Sequence, residues 1–176
     1  MASRSSTRTD TLAQYIASFH YDAIPDAVRN TARQVIADGT GALLGAANPA
    51  FSTGRLVAEF AREQGGQPQS SVVGFGFKTS PVMAALANGT MGYACDYEPH
   101  HPEAILHPIA VMIPTALALG EPAHANGRDF LAAVVLGCEV EYRVSMAIGP
   151  AQLYALGFHP SAVAGCFGAT ATACFL

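Results

Sequence analysis

Lysine is almost missing: Lys78 is the only one in 176 residues. Nine Lys and Arg against thirteen Asp and Glu leave a net charge of −4, with no basic run to neutralise a series of phosphates, so nucleic-acid binding is not expected. The polar start, Met1 to Asp10, carries Arg4 and Arg8 but leads into no apolar stretch of the kind a secretion signal needs. A cytoplasmic location follows, and the sequon Asn88-Gly89-Thr90 then has no consequence. No stretch reads as a membrane helix either, because the apolar end His159 to Leu176 is too short and too rich in Ala and Gly. Cys95, Cys138, Cys166 and Cys174 form no CxxC pair and read as small buried hydrophobes rather than a zinc framework. Also absent are a Gly-x-Ser-x-Gly elbow, a low-complexity tract, an interdomain linker and a repeat. Gly74 to Ser80 fails as a phosphate loop, since Phe77 stands where the glycine before Lys78 is required.

What is present is apolar residue: 51% of the chain, enough at this length to bury roughly 70% of the surface exposed on unfolding. Helical spacing runs through Leu12, Ile16 and Phe19, with Thr9 or Asp10 as the cap. A second helix opens at Pro25, carries Val28, Val35, Ile36, Leu43 and Leu44, and ends at Asn48-Pro49. A third fits Ser52 to Gln64, with Leu56, Val57 and Phe60 facing inward. The β-prone segment 70–75 predicts at most one short strand or hairpin arm. Ser80-Pro81 opens a helix through Ala94 that packs through Val82, Met83, Leu86 and Met91. Pro99, Pro102 and Pro108 make 96–108 a loop. Helix then resumes to Leu119 with a kink at Pro114, Asn126 caps another to about Ile148, and the last begins near Pro160. The fold class is mainly α. Residues 1–8 are expected to be a flexible N-terminus and 9–176 a partial helical domain; the uncapped end at Cys174-Phe175-Leu176 suggests a helix cut short or covered by a partner.

Three histidines, His100, His101 and His107, share thirteen residues with Asp96, Glu98 and Glu103. Imidazole takes and returns protons near neutral pH, a carboxylate fixes its tautomer, and the prolines stiffen the backbone that presents both. The bland alternative is a solvated acidic loop. Metal is the other rival, although the spacing fits neither a His-Glu-x-x-His pair nor a Cys-rich framework. His20 near a helix end and His124 in a loop read as structural.

The loop Asp96-Tyr97 through His101-Pro102-Glu103-Ala104-Ile105-Leu106-His107-Pro108, followed by Pro114 to Leu119, resembles the MmgE/PrpD family. So do Val35-Ile36-Ala37-Asp38 with Gly41 and Gly45, Gly137 to Arg143, and Gly157-Phe158-His159-Pro160 with Gly165 and Gly168. Members include 2-methylcitrate dehydratase, cis-aconitate decarboxylase and iminodisuccinate epimerase. The resemblance implies a large helical domain, a smaller lid domain absent here, a homodimer or other homo-oligomer, and chemistry with no cofactor and no metal. It also implies a lyase or isomerase that moves a proton beside a carboxylate-bearing carbon of a small polycarboxylate substrate. By position, His107 transfers the proton, Asp96 orients it or acts as a second acid/base, and His159 contacts a substrate carboxylate. His100 stands where several members carry a hydroxyl, and His101 joins it as a substrate contact. The family's downstream lysines are absent. The alternative from another class is a noncatalytic, truncated helical module that persists by packing against itself or a partner.

Overall fold

The computed structural model describes residues 7–176. Of the expected flexible start, residues 1–6 lie outside the described residues, and Thr7 and Arg8 begin the first helix. In α1 (Arg8–Ser18) the cap is Thr7, not Thr9 or Asp10. The Thr7 hydroxyl accepts from the Asp10 N–H at 3.1 Å and the Asp10 carboxylate accepts from the Thr7 N–H at 2.8 Å. Asp10 thus works from the third helical position, closing a reciprocal capping box.

After a 3₁₀ turn at Tyr21–Ala23 come α2 (Asp26–Ala46), α3 (Ser52–Gln64), β1 (Ser70–Val72), β2 (Phe77–Thr79) and α4 (Pro81–Ala94). α5 (Ile109–Gly120), α6 (Gly127–Ile148), α7 (Pro150–Ala155) and α8 (Pro160–Phe175) complete a mainly α chain. Ser80 and Asn126 cap α4 and α6 through their side chains, as their sequence positions imply. β1 and β2 pair antiparallel, Ser71 opposite Lys78, across a turn in which Gly74 and Gly76 adopt φ of +80° and +67°. Glu121, just past α5, accepts from the Ser71 N–H at 3.0 Å and pairs with Lys78 at 2.7 Å, fastening the hairpin to the helix that runs through the core.

That helix is α5, whose Ile109, Met112, Ile113 and Ala116 are buried against Leu43 of α2 and Val134 of α6. α6 and α8 pack with their backbones almost touching: a Cβ at Gly168 would lie 2.7 Å from the carbonyl oxygen of Gly137, a spacing that only glycine permits. α3 departs from expectation. Its inner face is Gly54, Ala58 and Ala61, while Leu56 and Phe60 are exposed, because Gly54 sits so close to the end of α2 that a Cβ would fall 2.1 Å from the Ala46 carbonyl oxygen. Likewise Val28, Leu44, Val82 and Leu86 are exposed rather than packed. Cys166 and Cys174 lie on the outer face of α8 and Cys95 and Cys138 are half-buried, so the cysteines are not uniformly core residues. Among the described residues no helix is long and apolar enough to cross a membrane.

Candidate active site

The loop between α4 and α5 is anchored rather than solvated. Ala104 and Leu106 are fully buried, Ser145 donates from its hydroxyl to the Ala104 carbonyl at 2.7 Å, and the His101 N–H donates to the Leu106 carbonyl at 2.9 Å. Asp96 and Ile105 hold φ of +52° and +49°, a left-handed conformation that side chains with a Cβ rarely adopt. Such geometry persists only where the surroundings enforce it, and it concentrates at functional sites.

The loop delivers His107 to the start of α5, and Gly157-Phe158 delivers His159 to the N-cap of α8. The His159 Nδ1 caps α8 by accepting from the Ser161 N–H at 3.2 Å, while the Ser161 hydroxyl accepts from the His107 N–H at 2.8 Å. One serine therefore ties together two histidines that lie 52 positions apart in the sequence. Their ring centroids are 6.5 Å apart, and both line one cavity of about 450 Å³. Tyr93, on the last turn of α4, presents its ring edge-on at 5.4 Å from His107 and 6.1 Å from His159. Its phenol oxygen lies 3.4 Å from Nε2 of His159.

These contacts fix tautomers. With Nδ1 of His159 accepting from the backbone, the neutral ring carries its proton on Nε2 and donates it toward the Tyr93 oxygen. The Tyr93 O–H is then free to donate elsewhere. Burial first, then the charges of Asp96 and Glu98, push the Tyr93 phenol above its ordinary value, so it remains a donor.

For His107 the partner is Glu98, whose side chain is 1% exposed and whose Oε1 lies 3.1 Å from Nδ1. Neither Glu98 oxygen is hydrogen-bonded, and Nδ1 meets the carboxylate at ion-pair distance without full hydrogen-bond alignment. The arrangement places the His107 proton on Nδ1 and leaves Nε2 as the basic nitrogen.

Asp96 stands beside this pair: ligand-type atoms of Asp96, Glu98 and His107 all fall within 4.8 Å of one another. A divalent cation is chemically compatible with these groups: donors on one zinc at 2.0–2.2 Å lie roughly 3.4 Å apart, and Oε1 of Glu98 and Nδ1 of His107 are 3.1 Å apart. His100 packs its ring 5.6 Å from that of His107, outside the cavity wall. His101 faces elsewhere, its ring tilted 44° against that of Tyr142 at 4.2 Å, its Nδ1 accepting from the Ala104 N–H at 3.2 Å. The structure thus brings Asp96, His107, His159 and His100 together and sets His101 apart. Glu98, named in sequence as part of the titratable run but given no role, completes the cluster, together with Tyr93 and Ser161, which sequence did not single out.

A model of the MmgE/PrpD N-terminal domain matches residues 10–176. Cis-aconitate decarboxylase of Aspergillus terreus is 29% identical over 170 residues, covering 93% of this chain and 34% of that protein. The cis-aconitate decarboxylase-like protein oryM of Aspergillus oryzae is 28% identical over 164 residues, 89% of this chain and 34% of its own length. Mouse cis-aconitate decarboxylase is 27% identical over 172 residues, 94% of this chain and again 34% of that protein. The chain spans about a third of the length of these curated relatives. With the family model matched over nearly its whole length, the chain belongs to the MmgE/PrpD family and carries that family's N-terminal domain.

Proposed function

We propose that this chain supplies the acid–base groups of a cofactor-independent lyase acting on a small polycarboxylate. The observation that carries this reading is the pairing of His107 and His159 across one cavity, with the buried Glu98 carboxylate 3.1 Å from Nδ1 of His107. Nε2 of His107 takes a proton from the carbon next to a substrate carboxylate, and Glu98 stabilises the imidazolium that results. In a dehydration, hydroxide then leaves with a proton from a second acid, a role we assign to Asp96. In a decarboxylation no proton is taken first: CO₂ departs, its bonding electron pair stays on the substrate, and His107, protonated beforehand from water, gives its Nε2 proton to the carbanion. Epimerisation, the isomerase variant, uses removal and return on opposite faces. His159 contacts a carboxylate, and His100 stands behind His107. The relatives named as cis-aconitate decarboxylases favour the lyase forms.

The noncatalytic reading draws on one observation: Leu56, Phe60 and Val82 stand exposed on α3 and α4, a surface suited to packing against a second copy. Turnover separates the two. Purified protein, treated and untreated with chelator, is assayed by NMR against 2-methylcitrate, cis-aconitate and iminodisuccinate. Chelator-insensitive conversion of one of them supports the lyase; none, from a folded oligomer, supports the module.

A further inference from the structure

Three ligand-type groups of the loop after α4 converge on one point. Asp96, Glu98 and His107 each place an atom within 4.8 Å of the other two, and Oε1 of Glu98 stands 3.1 Å from Nδ1 of His107. Asp96 is exposed and His107 half-buried, so the point is approached from solvent on the Asp96 side, whereas the Glu98 side chain is 1% exposed. Among the described residues neither Glu98 oxygen accepts a hydrogen bond, and Nδ1 of His107 is likewise unbonded. The enclosure is made by this chain's own atoms. A side chain from elsewhere has no route to those oxygens, but a bare ion, much smaller than water, has one past Asp96.

A dyad of His107 and Glu98 accounts for part of this arrangement. It leaves Oε2 of Glu98 without a partner, and it gives no reason for Asp96, held at a φ of +52°, to bring a second carboxylate to the same point. An imidazolium would offset one of the two negative charges; a divalent cation offsets both. The donor set selects the class of ion. Calcium takes roughly six to eight oxygens and magnesium keeps several of its own waters, so neither favours a set containing imidazole. Zinc and its first-row neighbours accept carboxylate oxygen and imidazole nitrogen together, often with three protein ligands and one open position.

We propose that Asp96, Glu98 and Nδ1 of His107 form a binding site for one divalent ion of the zinc class, and that the bound ion holds the lyase idle. Neutral imidazole has a single ring proton. When the ion takes the Nδ1 lone pair, that proton resides on Nε2, with no net gain or loss by the ring, and Nε2 can no longer accept a proton from substrate. The carboxylate of Asp96 is engaged at the same time. The metal-free chain is then the active form, and the ion is an inhibitor rather than a cofactor. The inhibition rests on the lyase reading; the site itself does not.

The test uses chelator-dialysed protein, titrated with Zn²⁺ by calorimetry and with Co²⁺ by visible absorption. One ion per chain should bind at micromolar concentration or below, and Co²⁺ should show the intense d–d bands of a four-coordinate site. Asp96→Asn, at an exposed position where asparagine suits the positive φ, should raise Kd roughly 10-fold or more, as should Glu98→Gln with its helical circular dichroism intact. Glu103→Gln and the double variant Cys166→Ser, Cys174→Ser report binding at exposed surface groups and should leave Kd unchanged. In ¹⁵N-labelled protein, Zn²⁺ should shift the Nδ1 resonance of His107 and leave Nε2 protonated. No binding, an affinity untouched by Asp96→Asn and Glu98→Gln, or one lost in the Glu103 or cysteine variants overturns the site. Because binding is read without turnover, a bound ion with no conversion of any acid would keep the site and sink the lyase. Conversion that saturating Zn²⁺ does not slow would keep the lyase and overturn the inhibition.

Discussion

Oε1 of Glu98 lies 3.1 Å from Nδ1 of His107, and the carboxylate that provides it is almost wholly enclosed by protein. A charge enclosed in that way is costly unless an opposite charge or a hydrogen bond compensates it. His107 is the group positioned beside it. A carboxylate at this distance attracts the positive charge that forms on the ring as it accepts a substrate proton, the direction in which a general base must move.

Glu98→Gln removes the charge but keeps the shape. Proton exchange at the substrate carbon should fall roughly 10²-fold, with KM little changed, because the lost interaction strengthens only as the imidazolium forms. Steady-state kinetics check this; unchanged kcat would leave Glu98 a structural residue.

Tyr93→Phe keeps both ring contacts and deletes the phenol. The Nε2–H of His159 then loses its acceptor and the substrate loses a donor. kcat/KM should drop by about 10-fold or more, within the range for one hydrogen bond to a charged group. Because the phenol is held above its ordinary value, activity should show no loss near pH 10 attributable to its ionisation. A pH–rate profile with such a step in the wild type but not in the variant would contradict this.

Glu141, fully buried on α6, has neither carboxylate oxygen hydrogen-bonded, and burial pushes its carboxyl up to about 8. The folded state therefore holds a proton that the unfolded chain releases near its ordinary value of 4.5. Between those two values the native state binds more protons, so stability should fall as pH rises from about 4.5 to 8 and then level off. Glu141→Gln should raise Tm at pH 8 by more than at pH 5, each kcal/mol appearing as roughly 2–4 °C at this length. Thermal melts across pH read it directly, and parallel curves for wild type and variant would refute it.

Gly168→Ala places a methyl 2.6 Å from Cε of Met112 and 2.7 Å from the Gly137 carbonyl oxygen. The methionine end can move; the backbone oxygen cannot without separating α6 from α8. The expected cost is about 1–3 kcal/mol, measured by urea unfolding. Because His159 rides on α8, the variant should also weaken binding at the cavity.

Helix starts were legible wherever a residue acts locally: Ser80-Pro81, Asn126 and Pro160 open helices at the positions their chemistry sets. Gly149-Pro150 was legible only as a stop. Proline also suits a first helical position, and α7 begins there at once. Val35, Ile36 and Leu43 of α2, Val57 of α3 and Met83 and Met91 of α4 pack as their spacing implies, but Val28, Leu44, Leu56, Phe60, Val82 and Leu86 do not, because periodicity gives weight to large apolar residues, whereas these helices approach through Gly39, Gly54, Ala58 and Ala87, which let backbones come close. At the site, His107 stood out within the titratable run and took its role from resemblance to the family, His159 took its role from that resemblance, and only the fold brings them to one cavity through Ser161. The burial of Glu98 depends on the surroundings of the whole loop and has no local signature. His101 sits in the same titratable run as His100, yet the short bridge to Leu106 turns it to Tyr142 instead.

Solvent deuterium incorporation into substrate, followed by NMR in D₂O for the wild type and His107→Ala, bears most directly on the account. The wild-type protein should exchange the proton beside a carboxylate-bearing carbon of at least one acid, and His107→Ala should lower that rate by roughly 10²–10⁴-fold with its helical circular dichroism intact. Incorporation undiminished in His107→Ala, or absent from the wild type with every acid tried, would contradict it.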